Sequence, residues 1–111
     1  MNMEYANNPV DLRDVDLDRS PWATGLAVIE FWSFRCEGCR FVATVMSELA
    51  MRHGDRLKVF KVSVDNAPRL STLFGASMVP SALLLKDGEA VGWLREHWSA
   101  AEVLARLGLT E

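Results

Sequence analysis

The sequence predicts an α/β domain in which a central mixed sheet carries helices on both faces, and three observations lead there. Leu26 to Trp32 is a nearly continuous apolar run, as expected of a central strand covered on both sides. From Arg40 to His53, apolar side chains at Phe41, Val42, Val45, Met46, Leu49 and Ala50 repeat with the spacing of one helical face. Ser81 to Lys86 and Glu89 to Arg95 read as strands joined by Asp87-Gly88, a strong hairpin signal. A chain that alternates strand and helix and then closes on a hairpin needs a sheet with both parallel and antiparallel neighbours.

The remaining elements follow in chain order. Residues 1–9 are polar and rich in Asn and read as a flexible arm ahead of a domain spanning 10–111. Between Val10 and Asp18 apolar and acidic residues alternate imperfectly, which suits either an edge strand or an irregular turn. Ser20-Pro21 is read as opening a short helix through Trp22 and Ala23. After the strand at 26–32 and the helix at 40–53, Gly54 is placed as a left-handed C-terminal cap. Leu57 to Val64 is a second strand by alternation, and Asp65 or Asn66 with Pro68 opens a helix that ends near Gly75. Ser99-Ala100-Ala101-Glu102 is a capping-box sequence ahead of Val103, Leu104 and Leu107, with Gly108 at the end.

Composition narrows the function classes. A chain of 111 residues, half of them apolar, is large enough for one core without disulfide staples or a structural metal. Lys and Arg number 12 against 15 for Asp and Glu, giving a net charge of −3, and no long basic block is present, so no nucleic-acid partner is expected. The first eight residues have neither a basic n-region nor an apolar h-region, and no run approaches the roughly 18 apolar residues of a membrane span. The expectation is a cytoplasmic protein with no membrane partner.

The chemistry centres on the two cysteines, Cys36 and Cys39, in Cys36-Glu37-Gly38-Cys39 between the first long strand and the first long helix. At the head of a helix the first thiol meets unpaired N–H groups and the positive end of the helix dipole, which favour its thiolate. The spacing lets the second sulfur close onto the first. In a reducing compartment a purely structural disulfide would not persist, which leaves a redox dithiol or a metal site. Zinc needs four ligands in most structural sites, and only His53 and His97 remain to supply them, neither as a spaced pair, so no metal is expected.

Residues 28–40, VIEFWSFRCEGCR, resemble the active-site segment of thioredoxins, where an apolar strand with an acidic residue runs through Phe-Trp into W-C-G-P-C-K. Lys61 and Asp65 stand where that family carries Lys and Asp, Met78-Val79-Pro80-Ser81 falls where it carries Ile-Pro-Thr with a cis proline, and Lys86-Asp87-Gly88-Glu89 matches its last hairpin. The resemblance implies a thioredoxin fold and a thiol–disulfide oxidoreductase that reduces disulfides in protein substrates without a bound cofactor. Electrons would come from a reductase or a small-thiol donor. By position and resemblance Cys36 is the nucleophile and Cys39 the resolving thiol. Glu30 matches the buried acid proposed to accept the Cys39 proton, with Lys61 as its charge partner. Trp32, Arg35, Val79 and Pro80 are expected to meet the substrate, Trp32 packing first and shielding the thiols second.

Departures from the family pattern point to altered redox tuning and docking. Glu37-Gly38 replaces Gly-Pro: losing the proline loosens the turn, and the Glu37 carboxylate opposes ionisation of Cys36 while Arg35 and Arg40 favour it. Arg35 replaces a second Trp, making the rim cationic. Thr44 replaces a helix-kinking proline, Glu96 replaces a glycine that lets partners approach, and Met78 replaces another before Pro80. The alternatives of another class are a binding module without turnover, using Trp93, Trp98 and Phe34 as its surface, and a metal-binding C-x-x-C protein.

Overall fold

The computed structural model describes residues 8–110. Most of the arm expected at 1–9, namely residues 1–7, therefore lies outside the described residues. Five strands form one sheet: β1 (Val10–Asp11), β2 (Leu26–Trp32), β3 (Lys58–Ser63), β4 (Ser81–Lys86) and β5 (Glu89–Arg95), in the order β1-β3-β2-β4-β5. β1 and β2 each pair parallel with β3, whereas β2–β4 and β4–β5 pair antiparallel. Three α-helices pack on the sheet: α1 (Cys39–His53), α2 (Pro68–Phe74) and α3 (Ala100–Arg106).

β2 is the central strand because both of its faces are apolar. Val28 belongs to a core built with Val42, Met46 and Leu49 of α1 and Val103 and Leu104 of α3. Its neighbours Ala27, Ile29 and Phe31 point the other way, into a second core with Trp22, Phe60, Val62 and Leu70 of α2. Strand periodicity then puts Glu30, two residues after Val28, on the α1 face. The parallel register sets Glu30 beside Lys61, which is two residues after Val59 and so shares that face. One strand alternation thus brings an acid and a lysine beneath the start of α1.

Several local expectations are corrected. The ambiguous segment 10–18 contains both a short edge strand and a 3-10 helix at Asp14–Asp18. Ser20-Pro21 opens no helix: Ser20 has a positive φ of 43° and residues 21–25 are turns and bends that feed β2. Gly54 is not left-handed (φ −63°), because its N–H continues the helical bonding to the Ala50 carbonyl. α2 is not capped by Asp65 or Asn66. Its N-cap is Ala67, and the distant Asp14 carboxylate accepts from the N–H groups of Arg69 (3.3 Å) and Leu70 (3.0 Å). Gly75 does end that helix in the left-handed region, and the Ser99/Glu102 capping box forms as read.

Candidate active site

The site lies where β2 ends and α1 begins. The turn that carries the cysteines is held by its own backbone: Cys36 N–H donates to the Ser33 carbonyl (3.2 Å), and Cys39 N–H to that of Cys36 (3.3 Å). Asp65, just beyond β3, braces the approach by accepting from Ser33 Oγ (2.9 Å) and from the Phe34 N–H (3.2 Å). Cys36 and Cys39 are joined in a disulfide with their Cα atoms 5.4 Å apart. Cys39 is the first residue of α1 and only 5% exposed, while Cys36 is half-buried.

Beneath the disulfide is a cavity of about 190 Å³ lined by Glu30, Trp32, Cys36, Cys39, Arg40 and Lys61, among others. Glu30 is 3% exposed. Burial disfavours its charged form and pushes its pKa up to about 7, against the opposing pull of the Lys61 charge. A carboxyl that changes protonation near neutrality therefore shares a cavity with the buried sulfur. Trp32 is half-buried, packs edge-on against Phe34 with ring centroids 4.9 Å apart, and has a buried indole N–H without a hydrogen-bond partner among the described residues.

On the outer side Cys36 borders a groove of about 400 Å³ with Arg35, Glu37 and Gly38 on one wall and Val79 and Pro80 on the other. The Val79–Pro80 peptide bond is cis, and Pro80 is buried against the turn, with its Cδ 3.7 Å from where a Cβ on Gly38 would sit. Gly38 itself has φ −62°, so neither space nor backbone demands glycine there. The ten residues expected to carry the dithiol chemistry, meet the substrate or tune the pair thus line these two cavities at one end of the sheet. Sequence reading gave no role to Ser33 or to the Asp65 brace. A serine and an aspartate 32 positions apart give no local signal of their contact.

The other candidates separate. Trp98 is 5% exposed and belongs to the α1/α3 core. Trp93 is half-buried against Phe31, whereas Phe34 is 67% exposed, so the three do not form one surface. His53 is buried and takes a 2.8 Å contact from Arg56 at Nδ1. Among the described residues no three His, Cys, Asp or Glu side chains cluster so as to hold a metal ion, and no helix is long and apolar enough to cross a membrane. Glu96 has φ +67°, a left-handed conformation that glycine adopts freely, and its N–H donates to the Pro80 carbonyl (3.2 Å).

Comparison with known proteins agrees with this geometry. The chain is 40% identical over 67 residues to a thioredoxin of Listeria monocytogenes, covering 60% of this chain and 65% of that protein. It is 37% identical over 67 residues to a thioredoxin of Bacillus subtilis, covering 60% and 64%. A thioredoxin of Alicyclobacillus acidocaldarius is 29% identical over 96 residues, 86% of this chain and 91% of that one. The first two matches thus span a little under two thirds of their relatives' lengths. The family model described as Thioredoxin matches residues 5–107, and with the mixed five-stranded sheet and the Cys36–Cys39 disulfide this establishes that the chain belongs to the thioredoxin family.

Proposed function

We propose that this protein is a thiol–disulfide oxidoreductase that reduces disulfides in protein substrates. The observation that carries the reading is the asymmetry of the pair: Cys36 borders an open groove, and Cys39, disulfide-bonded to it, is buried over the Glu30 cavity. In the reduced protein the Cys36 thiolate attacks a substrate sulfur, breaking the substrate disulfide and releasing one substrate thiol. Cys39, losing its proton, then attacks Cys36 Sγ and frees the second substrate thiol. The protein is left as the disulfide, having given two electrons.

Each neighbouring residue has a part in this reading. The N-terminus of α1 and Arg35 favour the Cys36 thiolate, and Glu37 opposes it. Glu30 takes the Cys39 proton, and Lys61 keeps part of the Glu30 population ionised near neutrality. Trp32 shields the sulfurs, and the backbone of Val79, ahead of Pro80, meets an extended substrate segment. Gly38, which stands in place of the proline of the thioredoxin motif it resembles, leaves the turn freer and so shifts the balance between dithiol and disulfide. A reductase or a small thiol restores the dithiol, in a cytoplasmic setting.

Insulin reduction followed by turbidity, with dithiothreitol as donor, tests the reading. Replacing Cys36 by Ser is expected to abolish the acceleration, and a C36S protein as active as the parent overturns the assignment. Replacing Cys39 by Ser is expected to trap substrates on Cys36 as mixed disulfides.

A further inference from the structure

One wall of the groove outside Cys36 carries charges of both signs, and the wall facing it carries none. Arg35 and Glu37, both exposed, flank Cys36 in the chain, and neither meets an opposite charge at ion-pair distance among the described residues. Across the groove, no hydrogen bond among the described residues engages the N–H or the C=O of Val79. The groove volume, about 400 Å³, falls near the lower end of the roughly 300–1,000 Å³ typical of small-molecule sites. A guanidinium, a carboxylate and an open peptide edge around one sulfur complement a small molecule with a carboxylate, an ammonium and an amide. A small peptide thiol with an amino-acid head group has all three, and its own sulfur would lie against Cys36.

We propose that this groove binds a small peptide thiol with an amino-acid head group, and that such a thiol returns the Cys36–Cys39 disulfide to the dithiol. Arg35 holds a ligand carboxylate, Glu37 the ligand ammonium, and the Val79 backbone pairs with the ligand amide in the manner of an added strand. The first thiolate attacks Cys36 Sγ. The bond to Cys39 breaks, Cys39 leaves as a thiolate and is protonated, and a mixed disulfide forms on Cys36. A second molecule attacks the ligand sulfur of that mixed disulfide and releases Cys36, so that two thiols become one small disulfide and the protein gains two electrons. This inference rests on the dithiol-exchange reading above and names its electron donor.

The test uses the purified disulfide form of the whole chain, reduced by glutathione or by neutral 2-mercaptoethanol at matched thiolate concentration, with free protein thiols counted by alkylation and mass spectrometry. The readout is the ratio of the two rates, which cancels any change in Cys36 reactivity common to both thiols. Glutathione is expected to be favoured by about fivefold, a preference that declines with added salt, falls close to unity for Arg35→Ala and is partly kept by Arg35→Lys. A ratio near unity in the parent, or one that Arg35→Ala leaves unchanged, overturns the proposal while ordinary reduction by 2-mercaptoethanol leaves the dithiol reading standing. If neither thiol opens the disulfide, and Cys36→Ser still reduces insulin, both readings fall together.

Discussion

Glu30 is the side chain whose protonation the fold changes most clearly. Its ordinary pKa of 4.5 is raised to about 7 by burial, so between these values the native state holds a proton that the unfolded chain has released. The associated stability is therefore complete below about pH 4.5 and is lost as the pH rises through 7. The shift corresponds to about 3 kcal/mol, with little solvent screening for so buried a group. Glu30→Gln is expected to remove this pH dependence and to be the more stable protein above pH 7, as read from urea unfolding at a series of pH values. If Glu30 takes the Cys39 proton, the same variant also slows exchange and flattens its profile between about pH 6 and 9. Unaltered unfolding and exchange profiles would remove both roles. Glu96 is a second residue-scale feature. Its left-handed backbone costs roughly 1 kcal/mol against glycine and persists because its N–H is tied to the Pro80 carbonyl.

At the scale of elements, α2 shows how a short helix depends on a remote partner. Seven residues long, with Ala67 as N-cap and no side-chain cap from its own sequence, it leaves its first N–H groups to Asp14 of the 3-10 helix. Asp14→Ala is expected to lower stability by about 1 kcal/mol and to speed hydrogen exchange at the Leu70 amide, with insulin reduction unaffected at temperatures where the chain is folded. An unchanged urea midpoint would mean that water replaces the carboxylate without loss. α3 is the contrasting case: its cap is local, with Ser99 Oγ accepting from the Glu102 N–H (3.1 Å) and Glu102 accepting from the Ser99 N–H (3.2 Å). That difference in sequence separation decides what could be read beforehand. The capping box spans three residues and is visible in the sequence, whereas the Asp14 cap joins residues 55 and 56 positions apart.

Across the whole molecule, stability and site geometry share one device, the two-faced strand β2. Ile29, fully buried in the core opposite the disulfide, should cost about 3 kcal/mol when replaced by Ala, because the deleted methylenes lose their burial and leave a cavity. Guanidinium unfolding monitored by far-ultraviolet circular dichroism checks the value. A loss under about 1 kcal/mol would mean that the second core collapses around the gap. The position of Glu30 follows from the same strand: turning Val28 into the α1 core necessarily turns residue 30 toward the start of α1.

The sequence by itself determined the strand and helix order from Leu26 onward, the bounds of β2, β4 and β5, the hairpin at Asp87-Gly88, the capping box of α3 and the spacing that lets Cys36 and Cys39 close onto each other. These rest on periodicity, turn chemistry and spacing within a few residues, where local physics is decisive. Only the tertiary structure decided that Glu30 is buried with a pKa near 7, that Asp65 braces Ser33 and Phe34, that Asp14 caps α2 and that Trp98 packs inside while Phe34 stays exposed. Each of these depends on residues brought together by the sheet register, or on burial from water by elements far along the chain. Burial and long-range contact arise only when the layers close, and no short window of sequence contains them.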